Sequence, residues 1–184
     1  MHRQTLLSLL EAYTPADTNE QAMWQETLHF VQNQPDCFQR TLLIGHITGS
    51  AWLVSPDRQQ AVLIHHRKLD RWFQAGGHCD GDPNVAAVAR REAEEETGLL
   101  RLHLLNSAVF DVDVHPIPER GAEPAHYHYD IRFLFEADPA EPFTHTAETK
   151  DIRWVPLEAI NALTDSESIL RMVRKTKSNN LMGQ

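Results

Sequence analysis

The segment that most constrains the fold of this chain is PNVAAVARREAEEET, residues 83–97. Apolar residues recur in it at intervals of three and four, which predicts an amphipathic helix with one face in the core. Asp82 is suited to cap this helix, Pro83 to occupy its first position, and Gly98 to end it. The pattern therefore predicts which side chains of the segment point inward.

The core-facing stripe of this helix changes from apolar to acidic along its length. It consists of Val85, Val88, Ala89, Glu92, Glu95, Glu96 and Leu99, whereas Glu94 is expected on the opposite side. Burying unpaired carboxylates is costly, and a divalent cation such as Mg²⁺ removes that cost because it prefers carboxylate oxygens. The alternative is a solvated acidic face paired with Arg90 and Arg91. The geometry of the stripe favours the cation.

The rest of the chain alternates between helical and strand patterns. Two helices are predicted within residues 3–33, strands at 47–55, 60–67, 105–115, 126–137 and 152–156, and terminal helices at 157–163 and 166–175. The stretch RWFQAGGHCDGDP, residues 71–83, reads as a short strand followed by a Gly- and Asp-rich loop. Interleaved strands and helices indicate an α/β domain at 41–184, preceded by an N-terminal helical extension at 1–40.

Composition excludes several classes of partner. The formal net charge of -9 disfavours broad attraction to a nucleic acid polymer or to an anionic membrane. The two cysteines, Cys37 and Cys79, are too few for a disulfide framework or a zinc finger. No signal-peptide pattern and no apolar run of membrane-spanning length is present, so a cytoplasmic location is expected.

The stretch GGHCDGDPNVAAVARREAEEETGL, residues 76–99, resembles the Nudix box. The matching positions are Gly77, Arg91, Glu92, Glu95, Glu96, Gly98 and Leu99, and Pro83 stands where the pattern has a glutamate. The resemblance implies a Nudix fold, an α/β/α sandwich with a mixed β-sheet. It also implies a Nudix hydrolase that cleaves a nucleoside diphosphate linked to another group, with Mg²⁺ or Mn²⁺ as the cofactor.

The resemblance also assigns roles to individual residues. The metal ligands would be the carboxylates of Glu92, Glu95 and Glu96, with the carbonyl of Gly77 as an addition. Arg91, Asp82 and Gly98 would provide structural support. The general base would be Glu95 or Glu96 within the box, or Glu148 in the loop before the strand at 152–156.

Histidines mark a second candidate site. In HYHYDIR, residues 126–132, alternation places His126, His128, Asp130 and Arg132 on one face. The preceding strand, DVDVH, places Asp111, Asp113 and His115 on one face, and a hairpin would bring the two polar faces together. Such a group can bind a transition metal, contact substrate, or form an exposed sheet face. We assign to substrate binding His66, Lys68, His115, His126, His128 and Arg132.

The sequence is compatible with three functional classes. The leading one is a magnesium- or manganese-dependent diphosphatase acting on a small nucleotide or another nucleoside-diphosphate-like molecule. The alternatives are a non-hydrolytic nucleotide-sensing Nudix module and a prenyl diphosphate isomerase, for which Cys79 would be the reactive cysteine. The intact glutamates favour the hydrolase. Residues 1–40 are expected either to cover the pocket or to form a homodimer contact.

Overall fold

The structure is a computed structural model that describes residues 2–147 and 149–182, with side chains up to residue 178. The helices are α1 (Gln4–Glu11), α2 (Thr18–Asn33), α3 (Val85–Thr97) and α4 (Glu167–Met182), with a 3₁₀ turn at Ile160–Ala162. The strands are β1 (Gly45–Val54), β2 (Gln60–His66), β3 (Arg71–Phe73), β4 (Ala75–His78), β5 (His103–Leu104), β6 (Asp111–Ile117), β7 (His126–Glu136) and β8 (Thr149–Pro156).

The strands of the described residues form one sheet in the order β3-β2-β1-β7-β5. Three further strands join it, because β4 pairs with β1, β6 with β7 and β8 with β2. Among the described helices, we find none whose length and apolar character would allow it to cross a membrane.

Backbone contacts divide the chain into two compact units. The first contains the residues up to Ser50, Gly76–Ala89 and Ser107–Phe133, and the second contains Ala51–Ala75, Arg90–Asn106 and the residues from Leu134 onward. The two N-terminal helices thus belong to the same unit as the β6–β7 hairpin. A domain boundary at residue 40 stays a prediction.

In the first unit, the N-terminal helices pack on the β6–β7 hairpin. The carboxylate of Glu20 is fully buried and accepts hydrogen bonds from the Tyr13 hydroxyl and from the backbone N–H of Val112. The ring of Phe30 stacks on that of Tyr129 with 4.0 Å between centroids. The helix α2 therefore packs on the hairpin, whereas the two predicted roles of residues 1–40, to cover the pocket or to form a homodimer contact, stay predictions.

In the second unit, β2 is a central strand with a continuous apolar segment. It pairs antiparallel with β8 and with β3, and Ala61, Val62, Leu63 and Ile64 are all buried. Strands covered on both faces have this kind of uninterrupted apolar run. The predicted strands at 60–67 and 152–156 are thereby confirmed.

The start of α3 differs from the prediction. The helix begins at Val85, and the side chain of Asn84 caps it by accepting a hydrogen bond from the Ala87 N–H at 3.2 Å. Asp82 instead accepts a hydrogen bond from the backbone N–H of Asn84 at 2.8 Å, before the helix begins. The prediction that Asp82 caps the helix is wrong, because Asn84 lies closer to the first helical turn and offers the same type of oxygen.

The Gly-rich stretch before α3 is also different from the prediction, since Gly76 and Gly77 lie in strand β4 rather than in a loop. A Cβ atom on Gly76 would lie 2.0 Å from Oγ and 3.0 Å from Cα of Ser50 in β1. Glycine is therefore needed for the close approach of two backbones.

The prediction of an α-helix at 157–163, directly after β8, is wrong. Only the 3₁₀ turn at Ile160–Ala162 forms there, because a segment of this length gains too few hydrogen bonds to sustain an α-helix. The final helix is longer than predicted and runs to Met182.

We expect Gly76→Ala to destabilise the protein by about 1–3 kcal/mol, the usual cost of forcing an extra methyl group into a packed site. The physical reason is the overlap of the new Cβ with Ser50. Urea unfolding monitored by circular dichroism measures the change. A midpoint equal to that of the wild type would mean that the contact with Ser50 does not require glycine at position 76.

Candidate functional site

The glutamates of α3 differ in their exposure. The Glu92 side chain is only 18% exposed, the Glu95 side chain is 64% exposed, and Glu94 and Glu96 are half-buried. The expectation that Glu94 is the glutamate turned toward solvent is therefore wrong, since Glu95 is the most exposed of them. At about 100° per residue Glu95 lies about 60° from Glu92 around the helix, at the border of the predicted stripe, where a side chain can turn to solvent.

Arg91 lies beside two of these carboxylates. Its guanidinium is 2.8 Å from Oε1 of Glu92 and 3.8 Å from Oε1 of Glu95. An arginine in this position fixes carboxylate orientation and offsets part of their mutual repulsion. The supporting role of Arg91 is compatible with this geometry and stays a prediction.

The donor set on α3 suits a hard divalent cation. Glu92, Glu95 and Glu96 offer carboxylate oxygens at positions i, i+3 and i+4, within one helical turn. Such oxygens are the ligands that Mg²⁺ and Mn²⁺ prefer. The residues present therefore fit the metal that the Nudix box implies.

The structure locates two other predicted site residues, Gly98 and Gly77. Gly98 has a φ of 76° and donates its N–H to the Glu94 carbonyl at 2.9 Å, which ends α3 as predicted. Gly77 lies half-buried in β4. Its role as a carbonyl ligand stays a prediction. Glu148 falls outside the described residues.

The β6–β7 hairpin brings the predicted polar faces together. Asp111 lies opposite Arg132, Asp113 opposite Asp130, and His115 opposite His128. The alternation read from the sequence is thereby confirmed. The polar face is largely buried, so the alternative of a solvent-exposed sheet face is wrong for these strands.

Arg132 is surrounded by three carboxylates. Its guanidinium lies 2.7 Å from Asp130, 3.1 Å from Asp111 and 3.3 Å from Asp113, and the residue is 2% exposed. Burial lowers the pKa of Arg132, but the three carboxylates outweigh it and hold the pKa above its ordinary value. The guanidinium is thus committed to protein carboxylates and does not face solvent.

Two hydroxyls from β1 hold the carboxylate of Asp130. Thr48 Oγ1 and Ser50 Oγ donate to the same oxygen of Asp130, at 2.9 and 2.7 Å. Asp130 therefore links β1 to the hairpin and receives its bonds from both sides. This buried network is a rigid support for the histidines that follow it on the same strands.

Beyond this network, five histidines gather in the first unit. The rings of His46, His78, His126 and His115 have centroids 4.8–5.5 Å from that of His128. One ligand atom each from His46, His78 and His128 lies within 4.8 Å of the other two. The sequence predicted the members on the hairpin but missed His46 and His78, because the pairing of β4 with β1 brings them in.

Burial and nearby positive charge lower the pKa values of three of these rings, His46, His78 and His128. Burial, followed by the charges of His78 and His126, lowers the pKa of His46 to about 4. The Leu42 backbone acts in the opposite direction, although no hydrogen bond of ordinary geometry joins it to His46. Burial and the neighbouring histidines likewise lower the pKa of His128 to about 2, and burial lowers that of His78.

These pKa shifts predict a pH-dependent stability in metal-free buffer. The unfolded chain takes up protons on these histidines below pH 6.5, whereas folded His46 takes up its proton only near pH 4. The free energy of unfolding should therefore be at its full value above pH 6.5 and fall as the pH drops toward 4, since the unfolded state binds more protons in this range.

Urea unfolding at several pH values measures this slope. His46→Phe keeps an aromatic ring but removes one titrating group, and it should have a shallower slope between pH 6 and pH 4.5. The ionisable groups around His46, namely Arg40, His78, His126 and His128, remain in the variant. Equal slopes in the variant and the wild type would contradict the assigned shift.

His66 and Lys68 lie at the turn between β2 and β3, in the second unit. The Leu69 N–H contacts Nδ1 of His66 at 3.2 Å, and Lys68 is exposed. The hairpin residues assigned to the same substrate role are in the first unit. The assignment of this set to substrate binding stays a prediction.

Comparison with known proteins supports the interpretation of the box. The family model of the NUDIX domain matches residues 46–175. A CMP-5'-(N-acetyl-N-hydroxy-3-aminopropyl)phosphonate hydrolase from Streptomyces rubellomurinus is 28% identical over 140 residues, which cover 73% of this chain and 61% of that protein. The chain therefore spans about three fifths of the length of this relative.

Solved structures share the fold at low sequence identity. An Ap4A hydrolase from C. elegans superposes with a TM-score of 0.59 at 16% identity, covering 75% of this chain and 98% of that chain. The dihydroneopterin triphosphate pyrophosphohydrolase of E. coli gives 0.57 at 18% identity, covering 72% and 95%. The chain therefore belongs to the Nudix hydrolase superfamily and has the α/β Nudix fold, a mixed, curled sheet flanked by helices.

Proposed function

We propose that this protein is a metal-dependent diphosphatase that hydrolyses a diphosphate linkage in a small nucleotide or a similar molecule. The observation that carries the proposal is the intact set of Glu92, Glu95 and Glu96 on α3, with Arg91 bonded to the first of them. Burying part of such a set of carboxylates is costly unless a cation is bound. A module that only senses a nucleotide does not need the cation for catalysis, so the intact set favours a hydrolase.

The chemistry assigns a role to each group of residues. Glu92, Glu95 and Glu96 would hold Mg²⁺ or Mn²⁺, which when bound neutralises phosphate charge and acidifies water. Glu95, Glu96 or Glu148 would accept the proton of the attacking water. Arg91 would keep the carboxylates oriented for both tasks.

We propose a smaller set of residues for contact with the substrate phosphates than the sequence suggested. His66 and Lys68 are half-buried and exposed, respectively, and would supply positive charge or hydrogen bonds to substrate. Arg132 is better suited to a positioning role, since its guanidinium is buried among three aspartates. We therefore leave Arg132 out of direct contact with substrate.

The nature of the substrate is suggested by the relative from Streptomyces, whose name specifies CMP joined to a phosphonate. We propose a small molecule in which a nucleoside monophosphate is joined to a second phosphorus-containing group. A cytoplasmic location, the absence of a nucleic acid polymer as partner, and a homodimer stay predictions.

The isomerase alternative is disfavoured by the position of its required cysteine. Cys79 is 1% exposed, whereas reactive cysteines need access to their substrate and an environment that stabilises the thiolate. The sensing module differs from the proposal by its products, because it would bind a nucleotide without cleaving it.

The experiment is a screen of diphosphate compounds with Mg²⁺ and with Mn²⁺, in which released phosphate and phosphate-bearing fragments are quantified. The panel contains dinucleotides, nucleoside triphosphates, nucleotide sugars, a CMP-phosphonate and non-nucleotide diphosphates. The proposal expects metal-dependent cleavage of at least one nucleotide compound. Binding without cleavage across the panel supports the sensing module, and a rearranged product of unchanged mass supports the isomerase.

A further inference from the structure

The histidine cluster of the first unit has the composition of a transition-metal site rather than of a phosphate site. It is formed by His46 on β1, His78 at the end of β4 and His128 on β7, so three different strands contribute one ring each. Their ligand atoms lie within 4.8 Å of one another. Imidazole nitrogen is a ligand for zinc, copper, nickel and iron, whereas Mg²⁺ prefers oxygen.

The distances within the cluster are close to those of bound ligands. Nε2 of His128 lies 3.3 Å from Nε2 of His78 and 3.3 Å from Nε2 of His126. In a tetrahedral zinc site with Zn–N bonds of about 2.0–2.1 Å, two ligand nitrogens are separated by about 3.3–3.4 Å. His78 and His128 are therefore already at ligand spacing, and the ligand atom of His46 lies within 4.8 Å of both of theirs.

Hydrogen bonding among the rings does not account for both short contacts. A neutral imidazole nitrogen carries either one proton or one lone pair. Nδ1 of His126 lies 2.9 Å from the Pro124 carbonyl, which can only accept, so the tautomer that donates from Nδ1 has a lone pair on Nε2. Nε2 of His128 carries at most one proton, so a single hydrogen bond from it accounts for one of the two 3.3 Å contacts and not for the other.

His46 is the second, independent observation. It is 1% exposed, and within the described part of the chain neither of its ring nitrogens has a hydrogen-bond partner. A buried polar group without a partner is destabilising, because it has given up its hydrogen bonds to water. A bound water or ion is one of the explanations for such a group in a native protein, and a metal held with His78 and His128 gives His46 a partner.

We propose that His46, His78 and His128 bind a divalent transition-metal ion of the zinc class, at a site whose ligands are distinct from the glutamates of α3. His126 lies beside His128 as a neighbouring donor. Three protein nitrogens leave a tetrahedral ion one open position for water or for an oxygen of a small ligand.

The electrostatics of the cluster are compatible with this site. Burial holds the pKa values of His46 and His128 well below 6.5, so both rings are neutral at physiological pH. The neutral ring is the form that binds a metal ion. The buried ion pairs of Arg132 join β6 to β7, the strand that carries His128.

The test uses the full chain without a histidine tag, stripped with a chelator and dialysed against Zn²⁺ in excess Mg²⁺, which occupies carboxylate sites. We expect one tightly bound zinc per chain by elemental analysis. With Co²⁺ in place of zinc, we expect visible absorption bands of a cobalt ion with nitrogen ligands in tetrahedral geometry. Because the readout is metal binding, the result does not depend on turnover or on the proposed diphosphatase activity.

Variants distinguish this site from the box. His46→Asn, His78→Gln and His128→Gln should each weaken zinc binding by about 100-fold or more, since even groups that only orient a ligand change affinity by about 10–100-fold. His103→Gln, an exposed histidine on β5, and Glu95→Gln should bind zinc like the wild type. Circular dichroism checks that each variant is folded. If His46→Asn unfolds, His78→Gln provides the test, because His78 is less buried than His46.

The proposal is overturned if the wild-type protein binds no zinc in excess Mg²⁺. It is also overturned if the folded histidine variants bind zinc as tightly as the wild type, or if Glu95→Gln is the variant that loses the ion. Loss of zinc binding and of the cobalt bands in the histidine variants alone supports it.

Discussion

Replacing Glu95 or Glu96 by glutamine is expected to lower metal-dependent turnover by about 100-fold or more while leaving the fold intact. Glutamine keeps the size of the side chain but removes the negative charge that a divalent cation requires. A metal ion contributes several kcal/mol to transition-state stabilisation, and about 2.7 kcal/mol corresponds to 100-fold in rate. Steady-state kinetics with the best substrate of the panel measures the loss.

The matched control is Glu94→Gln, which makes the same chemical change on the same helix at a position outside the predicted ligand set. Its turnover should stay within a few-fold of the wild type. Near-normal turnover in both Glu95→Gln and Glu96→Gln would sink the assignment of these residues to the metal.

Replacing Arg132 by methionine is expected to cost about 3–5 kcal/mol of stability, the usual effect of removing one partner from a buried ion pair. Methionine fills much of the same volume but leaves the carboxylates of Asp111, Asp113 and Asp130 without the guanidinium between them. Since natural domains are stable by about 5–15 kcal/mol, the variant should be close to unfolding. Urea titration at neutral pH measures the change.

Arg101→Met is the control for this variant. Arg101 also pairs with two carboxylates, Asp138 and Glu141, but its side chain is 71% exposed. Exposed ion pairs contribute little because water screens them. Equal urea midpoints for Arg132→Met and Arg101→Met would contradict the structural role given to the buried network.

Local patterns in the sequence predicted much of the first unit. The strict alternation in residues 126–132 placed His128, Asp130 and Arg132 on one face, and the ladder with β6 confirms this. Strand periodicity is a local property, so one sequence is enough to predict it. The apolar half of α3 was predicted for the same reason, since Val85 and Val88 are buried.

Features that depend on distant pairing were not predictable in this way. His46 and His78 are 32 positions apart, and only the pairing of β4 with β1 explains their proximity. The strand at Gly76 and Gly77 was mistaken for a loop because glycine usually indicates a turn. Here glycine instead allows close approach to Ser50.

The capping residue of α3 could not be predicted for a different reason. Asp82 and Asn84 are both good capping residues, and the pattern of the helix does not choose between them. The structure selects Asn84, whose side chain reaches the Ala87 N–H. Helix boundaries are the least determined part of a sequence-based prediction, because neighbouring residues often offer the same chemistry.

Product analysis in water enriched in ¹⁸O tests whether this chain uses water to cleave a diphosphate linkage. With Mg²⁺ and a cleavable nucleotide, mass spectrometry should find two phosphorus-containing fragments, one of which carries a single ¹⁸O from solvent. An unlabelled product of unchanged mass, or an intact substrate across the whole panel, would contradict the account.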